Sequence, residues 1–186
     1  MRKIPEITNR EQLPLEQRQF FDSILASRKR IGAPYNFLLH APDLAARTAH
    51  LVGYSLFSTD LPADIKELTI CAVAREMDCP FEWAVHALHA QKAGVRPEAI
   101  KVIESGEASS GLSATEAPIV GYVQELLRPP HRITNETFDA MERRVGIARL
   151  VEITGIIGAY VALACSLNAF EVMAPEGRPA LPVKTP

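Results

Sequence analysis

The chain has 186 residues, 47% of them hydrophobic and 23% charged, with a formal net charge of −2. That length fits one domain able to bury a core, and the composition is ordinary for a globular protein. With no Lys/Arg block and a slightly acidic balance, nucleic acid is not an expected partner. Cys71, Cys79 and Cys165 form no evident framework, and MRKIPEITNREQ carries no apolar leader, so a reducing cytoplasm is the expected location.

The elements are helical throughout. Residues 15–30 place Phe20, Phe21, Ile24 and Leu25 at helical spacing and end in basic residues, which suit a helix C-terminus. A second helix spans 42–57, opening at Pro42 and Asp43. Residues 62–77 open at Pro62, the favoured first-turn position for proline, and 80–93 open at Pro80 and stop at Gly94. A short helix at 97–105 closes at Gly106, and the Ser/Gly-rich loop 106–112 follows. Ser113-Ala-Thr-Glu116 has the form of a capping box for a helix reaching Leu127. Thr134 or Asn135 caps 136–145, and 148–170 is the last and longest helix. Ile153–Phe170 is free of charge and near the lower limit for a membrane span. Thr154, Ser166 and Asn168 dilute it, so it is expected to be core, with no membrane partner. The proline-rich tail from Ala174 cannot be helical; it wraps over a neighbouring subunit or is loose. No strand pattern and no repeat is found. The expectation is an all-α, single-domain, oligomeric helical bundle over 1–186: an N-terminal extension (1–32), a main body (33–175) and an extended tail (176–186).

Reactive side chains concentrate between Glu67 and His86. Glu67 shares a stripe with Ile70, Cys71 and Ala74, where burial is costly for a carboxylate unless it is paired or protonated. If Pro80 is the first helical residue, Cys79 is the N-cap, where the helix dipole favours a thiolate. Glu82 and His86 follow on the same face and are themselves an i, i+4 pair, which can fix one imidazole nitrogen while the other faces a substrate. Each residue also has a plainer role. Glu82 can reciprocate a cap, His86 can be a satisfied core histidine, Cys79 a small buried hydrophobe, and Glu67 a surface residue beside Lys66. It is their conjunction that points to a site. Glu82, His86 and His89 could also form a metal-ligand stripe, but no H-E-x-x-H or paired C-x-x-C accompanies them, so neither a metal nor another cofactor is expected. Nucleotide-binding and serine-hydrolase motifs are absent from the sequence.

The string Glu67-x11-Cys79-x2-Glu82-x3-His86, followed by Lys92-Ala93-Gly94-Val95, resembles the alkylhydroperoxidase D/carboxymuconolactone decarboxylase superfamily. PYNFLLHAPDLAAR, Glu82-Trp83-x2-His86 and NAFEVMAPEG resemble its decarboxylase-like branch, so that the likeness covers residues 33–175. The peroxidase branch carries Cys-x2-Cys where this chain has Cys79-x2-Glu82, so its two-thiol chemistry lacks the second thiol here. The resemblance implies an alkylhydroperoxidase D-like bundle forming homotrimers or homohexamers. It also implies a lyase acting on a small lactone or oxidised organic acid, as in aromatic catabolism. Glu67, Cys79, Glu82 and His86 are then the catalytic candidates, with His40 and Tyr54 as candidate substrate contacts. Two other readings stay open: a thiol peroxidase using Cys79, and a non-catalytic oligomer that binds small acids.

Overall fold

The computed structural model describes residues 4–106 and 110–183. Loop residues 107–109, the first three residues and the last three of the tail lie outside the described residues. Among the described residues there are nine α-helices, two 3-10 turns and no strand. The chain divides into two compact units: residues 1–59 with 165–172, and residues 60–164 with 173–186.

In the first unit, the helix expected from residue 15 begins as a 3-10 turn at Leu15–Gln17 and becomes α1 at Arg18–Arg28. It stops because Lys29 turns left-handed, with φ 65°. A short helix that periodicity does not reveal, α2 (Tyr35–Leu38), is entirely buried and leads into α3 (Pro42–Phe57). α1 and α2 both pack on α3, with Phe21, Ile24, Phe37, Leu39, Ala45 and Ala49 out of solvent. Asn36 ties down the N-terminal segment, its carbonyl accepting from Ile7 and its amide donating to Glu6.

The second unit is built around α4 (Ala63–Glu76), which packs against α5 (Pro80–Lys92), α6 (Pro97–Ser105) and α7 (Ala117–Leu127). α4 is buried almost all round from Glu67 to Arg75, as its continuous apolar run requires. Pro62 stands one place earlier than expected, as the N-cap of α4 rather than its first residue. Gly106 at φ 69° closes α6. Only half of the expected capping box forms at α7. Glu116 accepts from the Ser113 amide, while the Ser113 hydroxyl turns to Thr115. Glu116 also takes both ends of Arg96, at 2.6 and 3.1 Å, and that guanidinium holds its carboxyl down at about 2. α8 (Asn135–Val145) is capped by Thr134 and packs on α7.

α9 (Ile147–Ala169) follows, its last turn grouped with the first unit. It is long and apolar enough to cross a membrane by length and composition, and half of its most apolar window is buried within the protein. The described part of the tail is held by its own chain. The buried Arg75 guanidinium donates to the Pro182 carbonyl at 2.7 Å and to that of Glu104 at 3.0 Å, and also pairs with Asp78.

Candidate active site

α4 and α5 are joined by only Met77, Asp78 and Cys79. Asp78 takes φ 45°, a conformation aspartate tolerates better than most side chains, and this reverses the chain. The Cys79 amide closes the turn on the Ala74 carbonyl at 2.9 Å, and Pro80 starts α5 with its fixed φ. Two helices folded back through so short a link bring together residues at similar distances from the turn. Glu67 on α4 meets His86 on α5 in this way.

The meeting is a hydrogen bond. His86 Nδ1 lies 2.7 Å from Glu67 Oε2, and on the other side of the ring Nε2 lies 3.4 Å from Glu82 Oε2. The imidazole is thus bracketed by two carboxylates, one tightly bound and one loosely. Glu67, Glu82 and His86 retain only 6%, 4% and 5% of their exposure. Burial alone would pull the imidazole pKa down. Hydrogen bonding to Glu67, then to Glu82, together with their charges, outweighs this and raises it to about 9. The two carboxylates therefore favour the protonated form of His86 at neutral pH.

Two further rings complete the cluster. His89, one turn along α5 and exposed, stands edge-on to His86 with centroids 5.3 Å apart. Tyr160, buried on α9, stands edge-on from another direction at 5.1 Å. Partial burial and the His86 charge push His89 below its ordinary pKa, with Lys92 and Arg178 of the tail adding to the effect, so it is neutral at pH 7. In the sequence His89 is marked by its i+3 spacing from His86, which sets the two rings on one face of α5. Tyr160 had no such signal, because α9 reaches the site only through tertiary packing.

The thiols are placed differently. Cys79 is the N-cap of α5 and fully buried, and its side chain makes no capping hydrogen bond. Cys71, four residues beyond Glu67, is also buried; desolvation and the Glu67 charge push its thiol well above the ordinary range. Cys165 is exposed and belongs to the first unit. His40 and Tyr54 belong to that unit as well, and the His40 ring donates to the Pro5 carbonyl at 2.8 Å.

Glu67, His86 and His89 bring one donor atom each within 4.8 Å of one another. Two ligands on a tetrahedral ion, each about 2.0–2.1 Å from it, stand roughly 3.3 Å apart. The 2.7 Å between Glu67 and His86 is shorter, and is the spacing of a shared proton.

Residues 42–122 match the family model described as the Carboxymuconolactone decarboxylase family. No curated protein matches the chain. Among solved structures, the alkylhydroperoxidase AhpD core of an uncharacterised peroxidase-related protein from Ralstonia eutropha superposes with a TM-score of 0.72. It has 13% identity and covers 94% of this chain and 93% of its own. A protein of unknown function from Agrobacterium tumefaciens, whose description proposes an AhpD role in antioxidant defence, gives 0.66 at 18% identity, covering 75% and 96%. At these identities the likeness establishes a shared all-helical fold.

Proposed function

We propose that this chain, whose residues 42–122 match the Carboxymuconolactone decarboxylase family model, is a decarboxylase-like lyase acting on a small lactone or oxidised organic acid by proton transfer. The observation that carries this reading is the His86 imidazole bracketed by two buried carboxylates. Loss of carbon dioxide from a substrate carboxylate breaks a C–C bond and leaves the electron pair on carbon, delocalised into a neighbouring carbonyl. The enzyme must then supply a proton. Nδ1 is committed to Glu67 at 2.7 Å, whereas Nε2 is only loosely engaged at 3.4 Å. Nε2 is the atom from which His86 gives its proton to the carbanion, acting as general acid. Glu67 holds the ring in place while it is neutral, and solvent returns the proton. Glu82 is the second orienting carboxylate, and the exposed His89 marks the approach to the ring.

The test is release of carbon dioxide from 4-carboxymuconolactone and related lactone acids by the native chain, His86→Ala and Glu82→Ala. Loss of turnover in both variants is expected; full turnover in both would remove the assignment. A thiol peroxidase reading rests on the place of Cys79 at a helix N-terminus. Its full burial, and Glu82 in place of a second thiol, weigh against that chemistry. The assembly is proposed to be a homotrimer or homohexamer, supported by the exposed Val151, Gly155 and Gly158 along α9.

A further inference from the structure

A cavity within the first unit combines positive charge with aromatic walls. It encloses about 200 Å³ and is lined by Arg28, Arg30, Gly32, Ala33, Tyr35 and Phe57, with no acidic side chain among them. The Arg28 guanidinium lies 4.9 Å from the Tyr35 ring centroid and 5.7 Å from that of Phe57. Its Nη2 donates to the Tyr35 hydroxyl at 2.6 Å and to the Ala49 carbonyl at 3.1 Å. These acceptors fix its orientation but carry no charge to neutralise it, and its buried Nε has no partner. Among the described residues neither Arg28 nor Arg30 has a carboxylate partner. A basic residue at the C-terminal end of α1 is ordinary, since the helix dipole favours cations there. That does not account for a guanidinium enclosed by two rings and facing a hollow. A Cβ placed on Gly32 would meet nothing within 4 Å, so this wall stands clear, and Phe57 remains 69% exposed, a flat apolar face beside the two charges.

We propose that this cavity binds a small aromatic carboxylate, its carboxylate on Arg30 and Arg28 and its ring against Phe57. Guanidinium groups match a carboxylate in shape as well as charge. The volume lies below the roughly 300 Å³ of the smaller drug-sized sites, which limits the ligand to about one ring. A bare inorganic anion would satisfy the charge but leave Phe57 uncovered. The site shares no residue with the His86 cluster and stands independently of the proposed reaction.

The experiment is a titration of the full-length, ¹⁵N-labelled chain with benzoate and, in parallel, with inorganic phosphate. It is repeated on Arg30→Gln and Phe57→Ala, two exposed positions whose variants are expected to keep the helical circular dichroism signal. The proposal expects saturable shifts on residues 28–35 and 57, benzoate bound more tightly than phosphate, and benzoate affinity lowered about tenfold in each variant, equal to about 1.4 kcal/mol. It is overturned by the absence of saturable shifts, by shifts confined to residues 82–89, by benzoate affinity unchanged in either variant, or by phosphate binding as tightly as benzoate.

Discussion

Raising the pH from 6.5 to 9 removes a calculable part of the stability of this protein. His86 carries its proton up to about 9 when folded, whereas an unfolded histidine releases it near 6.5. Below 6.5 both states hold the proton and the full stabilisation is present. Between 6.5 and 9 the unfolded chain binds fewer protons than the folded one, so stability falls with pH, by about 1.4 kcal/mol per pH unit. Over the whole interval the loss is about 3 kcal/mol, a large share of the roughly 5–15 kcal/mol that holds a typical domain together. Other shifted groups act outside this window. The lowered pKa of His89 costs stability only as the pH falls below 6.5, and the raised pKa of Cys71 costs it only above about 9. The measurement is urea unfolding followed by helical circular dichroism across the interval, for the native chain and His86→Gln. The native stability should fall steeply while the variant, which has no imidazole to titrate, stays nearly flat. Equal slopes in the two proteins would refute the argument that two carboxylates hold a buried imidazolium.

Other expectations test the remaining parts. Glu67→Gln removes the nearer anion, so the ¹⁵N-detected pKa of His86 should fall toward its ordinary value, and carbon dioxide release should drop by about 10²–10⁴-fold if His86 is the acid. Peroxide consumption with a dithiol reductant should be negligible in the native chain and unchanged in Cys79→Ser; clear turnover lost in that variant would favour the thiol reading. Arg75→Ala removes the donor of the bond to Pro182, so limited proteolysis should cut the tail much faster, and unfolding should be easier by about 2–3 kcal/mol. Gly94→Ala places a side chain at φ 88°, and thermal unfolding should show a loss of about 1–2 kcal/mol.

Helix positions were legible wherever a local signal sets them. Pro80 at the start of α5, Gly106 past the end of α6 and Thr134 before α8 act through their own backbone conformation or a bond to a near neighbour, and they stand where the sequence places them. The short helix Tyr35–Leu38 is not legible in the sequence, because four residues show no period and no side-chain cap. Pro62 fell one place outside α4, an uncertainty normal at helix ends. The tail was legible as non-helical, but its anchorage on Arg75 was not, since that bond joins residues far apart in sequence.

The sequence by itself determined that the chain is all-helical. It also determined that Cys79, Glu82 and His86 share one face of a helix, because a period of 3.6 residues and the cap residues are local properties. Only the tertiary structure decided what that face meets. The reversal at Asp78 sets Glu67 against His86 Nδ1, and the packing of α9 brings Tyr160 to the same ring. The protonation of His86 follows from those contacts, because a charge in low dielectric is governed by the few groups that touch it. Helical periodicity places a side chain on a face; the fold supplies the partners that fix its charge.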